Sequence, residues 1–341
     1  MNKKVICGVA GRSGGHIIPC MTFLKNAIAA DPEYSVLFFS TDTQLDRSIL
    51  ALYPANFKYI PLSLDSFPGK KIVRYPSFLV QCIRSFITSF RVLRKMKAEK
   101  VVSMGGYVSL PVCAAAVVLR IPIEGFELNA VPGKALLWLA PYVRTMHVCF
   151  GEASSFFKNS LCQITAYPLR FSYEDRLARD KGLSKYGLDP AKKTLLVVGG
   201  SQGSRSINEL IKDFFKKNTH RALDIQIIHQ AGANNVTDLE LFYKSQGCTA
   251  RVFEYEHTLQ FAYAAADFVI ARAGAGTLFE LEFFEKKTML IPLEIKSTLH
   301  QRENAQAFVL KNPSLFTMMR HSEISKDPEK FANSLLAGLG L

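Results

Sequence analysis

Short apolar runs alternate along this chain with stretches in which apolar residues recur every three or four positions. Residues 5–10, 36–40, 57–62, 101–104, 122–126 and 143–150 have the length and branching of buried strands, and so do 195–198, 225–229, 251–253, 268–271 and 288–291. Helical spacing fills the intervals, as over 18–30 and in Ile207, Leu210, Ile211, Phe214 and Phe215. This alternation predicts an α/β protein with parallel sheets covered on both faces. Residues 167–193 are charged and irregular and contain Pro168 and Pro190, so they read as a linker. The pattern therefore predicts two Rossmann-like, doubly wound domains facing each other, 1–166 and 167–325. A last helix within 326–341 is able to pack back on the first domain or to stay with the second.

In such sheets ligands sit beyond the carboxyl ends of the strands. There, Gly199-Gly200-Ser201-Gln202-Gly203-Ser204 stands between an apolar strand and a helix. A strand that breaks into glycines and reopens as a helix presents backbone N–H groups and the positive end of the helix dipole, which together suit a phosphate. Ser201 adds a hydroxyl donor. The bland alternative is an ordinary tight turn, but Gly11-Arg12-Ser13-Gly14-Gly15-His16 repeats the arrangement after the first strand.

Composition narrows the partners. The 341 residues are 48% hydrophobic and 21% charged, a globular balance, and the formal net charge of +13 calls for an anionic partner: nucleic acid, an acidic membrane or a phosphorylated substrate. The seven cysteines are scattered without a C-x-x-C pair, which points to a reducing compartment and away from a zinc or disulfide framework. Only a short apolar run separates Lys3 and Lys4 from Gly11, so no secretory core is expected. Residues 101–119 are nearly all apolar, but Gly105, Gly106, Ser109 and Pro111 divide them into strand, turn and helix. The stretch 70–100 carries nine Lys or Arg residues against one acid, Glu99. Within it Leu79, Ile83, Phe86, Phe90 and Leu93 fall on one helical face, by default the face packed on the sheet. Phe78, Val80 and Ile87 widen the apolar arc beyond that need. A surplus arc flanked by cations such as Lys70, Lys71 and Arg74 has the composition of a membrane-surface helix, into which Leu79, Ile83 and Phe86 would insert if they face outward. No nucleic-acid-binding signature accompanies these charges, and no nucleic-acid partner is expected.

Seven stretches now stand in order: G-R-S-G-G-H at 11–16, M-G-G-Y-V-S at 104–109, E-L-N-A-V-P-G at 127–133, Y-P-L-R at 167–170, G-G-S-Q-G-S at 199–204, R-A-G-A-G-T-L-F-E at 272–280 and H-Q-R-E-N-A at 300–305. Through them the sequence resembles the MurG family, the inverting glycosyltransferases of peptidoglycan synthesis, over essentially its whole length. The resemblance implies a GT-B architecture with the active site in the cleft between two Rossmann-like domains. The N-terminal half would take a polyprenyl-pyrophosphate-linked sugar acceptor and the C-terminal half UDP-N-acetylglucosamine. The implied reaction gives undecaprenyl-pyrophosphoryl-N-acetylmuramyl pentapeptide its N-acetylglucosamine, at the cytoplasmic face of a bacterial plasma membrane whose anionic surface the enzyme meets peripherally. Three positions depart from the family. Arg12 stands for a usual glycine, Ala273 for a serine, and Glu256 for an apolar residue beside the uracil, where contact is expected through the backbone.

The same resemblance distributes roles. His16 is either the base that takes the acceptor's proton or a group that only hydrogen-bonds there. Glu127 is a second candidate base, or orders its loop. Gly14, Gly15, Tyr107 and Asn129 fall on the acceptor side. Ser13, Gly14, Asn129, Arg170, Gly200, Ser201, Gln202, Gly203, Glu256, Ala275, Glu280 and Gln301 fall on the donor side. The chain has no D-x-D pair, so the leaving pyrophosphate is expected to be stabilised by the glycine loop, the helix start and Arg170, with no metal and no cofactor. Glu280 either holds the ribose or closes a capping box with Thr277. Gln301 either meets sugar hydroxyls or is an exposed amide at a helix start. Rival readings are another GT-B nucleotide-sugar enzyme, such as a glycolipid glycosyltransferase or UDP-sugar epimerase, and a non-catalytic basic module. A dinucleotide oxidoreductase lacks its fingerprint in both loops.

Overall fold

The computed structural model describes residues 4–51, 53, 57–158, 160–200, 203–233, 235–294 and 300–341. The chain divides into two compact units, Met1–Arg170 and Phe171–Leu341. In the first, β1 (Lys4–Val9), α1 (Gly14–Ala30), β2 (Tyr34–Thr41), α2 (Gln44–Leu50), β3 (Phe57–Leu62), α3 (Tyr75–Lys95), β4 (Ala98–Ser103), α4 (Ser109–Val118), β5 (Ile123–Glu127), α5 (Lys134–Leu139), β6 (Thr145–Val148) and β7 (Cys162–Ile164) follow one another. The strands form one sheet in the order β3-β2-β1-β4-β5-β6-β7, and their pairings are parallel. Buried apolar residues line both faces of β1, β2 and β4, as a sheet covered on both sides requires, with the buried Ser40, Thr41 and Ser103 at the carboxyl ends.

In the second unit α6 (Arg179–Tyr186), β8 (Lys193–Val198), α7 (Arg205–Lys217), β9 (Ile225–Gln230), α8 (Val236–Ser245), β10 (Thr249–Phe253), α9 (Leu259–Ala265), β11 (Phe268–Ala271), α10 (Ala275–Phe283), β12 (Thr288–Leu290), α11 (His300–Lys311), β13 (Phe316–Met318), α12 (His321–Lys326) and α13 (Pro328–Leu339) follow. The sheet order is β10-β9-β8-β11-β12-β13, again all parallel. Each sheet thus reverses direction beside its first strand, between β1 and β4 and between β8 and β11.

Three predictions change here. The last helix, α13, lies on the second unit: Phe331, Leu335 and Leu339 are buried with Leu195, Val197 and Phe268. A side chain on Gly338 would start 2.4 Å from the Phe268 ring, so the helix backbone itself rests on β11. The predicted linker 167–193 contains α6, because Gly182 lets that helix approach α9 so closely that a Cβ would stand 2.5 Å from Phe261 O. And α3 turns Phe78, Cys82, Phe86, Phe90 and Leu93 toward the core, with the small Ser85 and Ser89 buried between them. Phe86 therefore does not face outward as an inserting residue. Leu79, Val80, Ile83 and Ile87 are exposed, continuing Ile72 and Val73 of the preceding turn. Lys70, Lys71, Arg74, Arg84 and Arg91 are exposed around them. Among the described residues no helix is long and apolar enough to cross a membrane.

Candidate active site

In the first unit the neighbouring strands β1, β4 and β5 deliver three predicted stretches to one end of the sheet. Helix α1 begins at Gly14, four residues before its predicted start, because the Ser13 hydroxyl caps it by accepting from Gly15 N at 3.2 Å. Gly14, Gly15 and His16 are consequently the first helical turn, which holds no acid to offset the dipole's positive end. The half-buried His16 has its Nδ1 3.8 Å from the place a Cβ would take on Gly106. Gly105 and Gly106 turn there with φ of +78° and +75°. The Ser103 hydroxyl accepts from Gly105 N at 3.2 Å and the Ser109 hydroxyl donates to Gly105 O at 2.6 Å.

Arg12 keeps the glycine-like conformation, with φ of +58°. That region costs a side-chain-bearing residue about 1–2 kcal/mol. Its neighbours supply the compensation. Arg12 N donates to the buried Asp46 carboxylate at 3.0 Å, and the guanidinium donates to Leu64 O at 3.2 Å and to the Ser66 hydroxyl. The same guanidinium stands 5.8 Å over the Tyr107 ring. Tyr107 packs on Phe78 of α3 at 6.2 Å between ring centres. Its buried hydroxyl lies near Ser66 but not in hydrogen-bonding geometry, and burial pushes the phenol up to about 12.

Glu127 is 3% exposed, and its two oxygens accept from Asn129 N at 2.8 Å, Asn129 Nδ2 at 3.1 Å and Gly133 N at 2.9 Å. Burial raises its pKa, while the bonds from Gly133 and Asn129 pull it down. Both carboxylate oxygens are engaged in ordering the loop 127–133, and through it the half-buried Asn129.

In the second unit the glycine loop follows β8. Gly200 and Gly203 have φ of +90° and +71°. A Cβ on Gly203 would stand 2.1 Å from Ala231 O, so no other residue fits. Ser201 and Gln202 lie outside the described residues. Ser204 caps α7, whose first turn again has no acid. Beneath the loop lies Arg272, which the sequence placed in the stretch 272–280 without a role of its own. It is 6% exposed, and donates from Nε and Nη2 to Ser204 Oγ at 3.1 and 2.7 Å, from Nη2 to the Ser206 hydroxyl, and from Nη1 to Ile291 O at 2.8 Å. Burial lowers its pKa to about 10, which leaves it a cation at neutral pH. The available signal was its position: a lone arginine closing the apolar run of β11.

The remaining donor-side residues fall as follows. Glu280 is the sixth residue of α10, whose N-cap is Gly274, so no capping box forms with Thr277. Its carboxylate, 9% exposed, accepts from the Tyr263 hydroxyl at 2.9 Å. Ala275 opens the same helix, and the fully buried Ala273 passes its carbonyl to Asn304 Nδ2 at 3.3 Å. Gln301 is half-buried rather than exposed and accepts from Leu293 N at 3.0 Å. The Glu256 carboxylate accepts from Thr258 N and Oγ1, each at 2.7 Å, while Glu256 N donates to Gln230 at 3.1 Å. Of the backbone groups expected to meet the base, the N–H is thus already engaged. Arg170 is the last residue of the first unit, not part of the second.

Two Rossmann-like parallel sheets with left-handed turns at matching reversal points fit a GT-B architecture. Residues 6–148 match the glycosyltransferase family 28 N-terminal domain and residues 194–338 its C-terminal domain. A UDP-N-acetylglucosamine–N-acetylmuramyl-(pentapeptide) pyrophosphoryl-undecaprenol N-acetylglucosamine transferase of Protochlamydia amoebophila is 34% identical over 91% of this chain and 81% of its own length. The like-named protein of Myxococcus xanthus is 31% identical over 98% of this chain and 84% of its own. The crystal structure of Acinetobacter baumannii MurG shares the fold with a TM-score of 0.71 at 23% identity, over 99% of this chain and 91% of that one. The chain belongs to the MurG family within glycosyltransferase family 28.

Proposed function

We propose that this chain transfers N-acetylglucosamine from UDP-N-acetylglucosamine to undecaprenyl-pyrophosphoryl-N-acetylmuramyl pentapeptide, inverting the anomeric carbon. The observation that carries the reading is the glycine-opened strand–helix turn at the reversal point of each sheet, in a chain of this family. The acceptor hydroxyl attacks the anomeric carbon as the bond to the UDP oxygen breaks. Its proton passes to His16, whose imidazole lies in the first turn of α1 with Nδ1 facing Gly106. Glu127 holds Asn129 in place for the acceptor. On the donor unit the glycine loop with Ser201 and Gln202, the start of α7 and the Arg272 charge beneath it receive the pyrophosphate. Glu280 takes the ribose hydroxyls, Gln301 the sugar, and the Glu256 backbone the uracil.

The acceptor's polyprenyl tail stays in the bilayer, so the first unit docks on an anionic cytoplasmic surface. The exposed Ile72, Val73, Leu79, Val80, Ile83 and Ile87, ringed by five exposed cations, support this. Each such cation contributes about 1 kcal/mol near an anionic surface. The test is an assay on lipid-linked acceptor in anionic vesicles. Transfer of labelled N-acetylglucosamine with release of UDP is expected, together with vesicle binding that falls with salt and falls further when Lys70, Lys71 and Arg74 lose their charge. Absence of transfer refutes the activity. Vesicle binding indifferent to salt and to those substitutions refutes the docking face.

A further inference from the structure

The donor residues predicted in the second unit follow β8, β10, β11 and β12. The end of β9 holds none of them, yet its last residue joins the turns after β8 and β10. Successive strand residues point to opposite faces, and the last two of β9 are both polar. His229 turns toward α7 and α8, with Nδ1 2.7 Å from the Tyr243 hydroxyl and Nε2 3.1 Å from Asn208 Oδ1. Asn208 Nδ2 in turn donates to Ala231 O at 3.1 Å, the carbonyl that leaves no room for a side chain on Gly203.

Gln230 turns the other way. Its Nε2 donates to Gly200 O at 2.8 Å, and its Oε1 accepts from Glu256 N at 3.1 Å. Gly200 O also accepts from Gly203 N at 3.0 Å, which closes the glycine turn. Gln230 is 2% exposed and its bond from Glu256 N is buried, so that donor has no water to replace it. A single side-chain amide therefore spans from the turn read as the phosphate end of the donor site to the turn read as its base end.

We propose that Gln230 is the positioning residue that sets these two turns at the spacing of one nucleoside diphosphate, so that base and pyrophosphate bind as a unit. The inference rests on the donor reading above. Gln230 meets protein backbone at both ends and need not touch substrate. Its removal should weaken the link between the two ends of the ligand rather than either end alone.

The test compares the affinities of uridine and UDP for the full-length protein, with melting temperature alongside, in wild type, Gln230→Leu and Gln230→Glu. The quantity read is the factor by which adding the pyrophosphate tightens binding. Gln230→Leu removes both bonds. Gln230→Glu keeps an acceptor for Glu256 N but sets an oxygen against Gly200 O, and it reports even if the leucine variant folds poorly. In each the factor should shrink about tenfold, the size expected for one or two lost hydrogen bonds. The Michaelis constant for UDP-N-acetylglucosamine should rise by a similar factor with little change in kcat. A lowered melting temperature with an unchanged factor makes Gln230 a packing residue and overturns the proposal while the donor reading stands. A wild type that binds neither uridine nor UDP overturns both.

Discussion

The turns after β1 and β8 occupy the same place in two sheets of the same strand order, and each requires a left-handed residue. The second unit meets the requirement with glycine at two positions: Gly200 has open space around it, and at Gly203 the backbone of the next turn stands where a Cβ would be. The first unit has space there and uses it. Arg12 accepts the strained conformation and turns its side chain into a strut, tying its loop to Leu64, Ser66 and Tyr107. One backbone demand has two solutions, and the surroundings of the turn decide between them. The surfaces diverge as well. Residues 1–170 carry 20 basic and nine acidic residues, a net +11, while residues 171–341 carry 22 and 20, a net +2. Almost the whole charge excess lies on the unit that presents the exposed apolar face of α3, as expected if only that unit meets a membrane.

The comparison breaks most sharply at the two turns. Gly203→Ala forces a methyl group onto Ala231 O and a side chain into φ of +71°. Left-handed strain of about 1–2 kcal/mol adds to overpacking of about 1–3 kcal/mol, so chemical denaturation should show a loss of about 2–5 kcal/mol. Arg12→Gly relieves the strain and deletes the strut, two effects of similar size, so stability should change by less than about 1 kcal/mol. A tolerated Gly203→Ala beside a collapsed Arg12→Gly would reverse the account.

The two units should also fail differently in kinetics. His16→Ala should lower kcat about 100-fold while UDP affinity holds, and should remove the acid limb of the pH–rate profile. A rise confined to the acceptor Michaelis constant would make His16 a binder. Glu280→Gln should instead weaken UDP binding by about 1.5–3 kcal/mol, the worth of hydrogen bonds to an ionised partner. The melting temperature should stay near wild type, since the remaining amide oxygen can still accept from Tyr263.

Where these residues sit was legible in the sequence to different degrees. Both sheets were, because parallel strands buried on two faces are plain apolar runs. The three-residue strands β7 and β13 were too short to give one. The start of α1 was hidden because Gly14 and Gly15 are poor helix formers and the Ser13 cap decides the matter. The inward face of α3 was misread because hydrophobic spacing registers polarity, whereas Ser85 and Ser89 are buried for their small size. Thr277 and Glu280 satisfied a local capping rule that the earlier start at Gly274 makes irrelevant. Gln230 lay beyond any spacing rule, since its partners come from other strands' turns, whereas Arg272 was marked only by its place at the end of an apolar run.

A last expected effect separates the units by pH. His229 is fully buried, and burial lowers its pKa to about 3. It is neutral in the folded second unit at pH 5, while in the unfolded chain an imidazole titrates near its ordinary value of about 6.5. Between those values the unfolded state binds one more proton, so the contribution to stability is full above pH 6.5 and is lost as the pH falls toward 3. The loss approaches about 1.4 kcal/mol per pH unit, or roughly 2 kcal/mol between pH 6.5 and 5. Tyr243 and Cys248, both raised by burial, stay neutral across this range and do not oppose it. In the first unit, burial also lowers the pKa of His147, but Glu124, with an oxygen 3.9 Å away, pulls it back up, so the corresponding acid loss there is smaller. Urea unfolding followed separately in each unit should therefore show the second losing more stability between pH 6.5 and 5. His229→Gln should lower the starting stability but flatten that slope by about one proton. An unchanged slope in the variant would mean that His229 is already charged in the folded protein, and that the Tyr243–His229–Asn208 chain is not the neutral relay its burial demands.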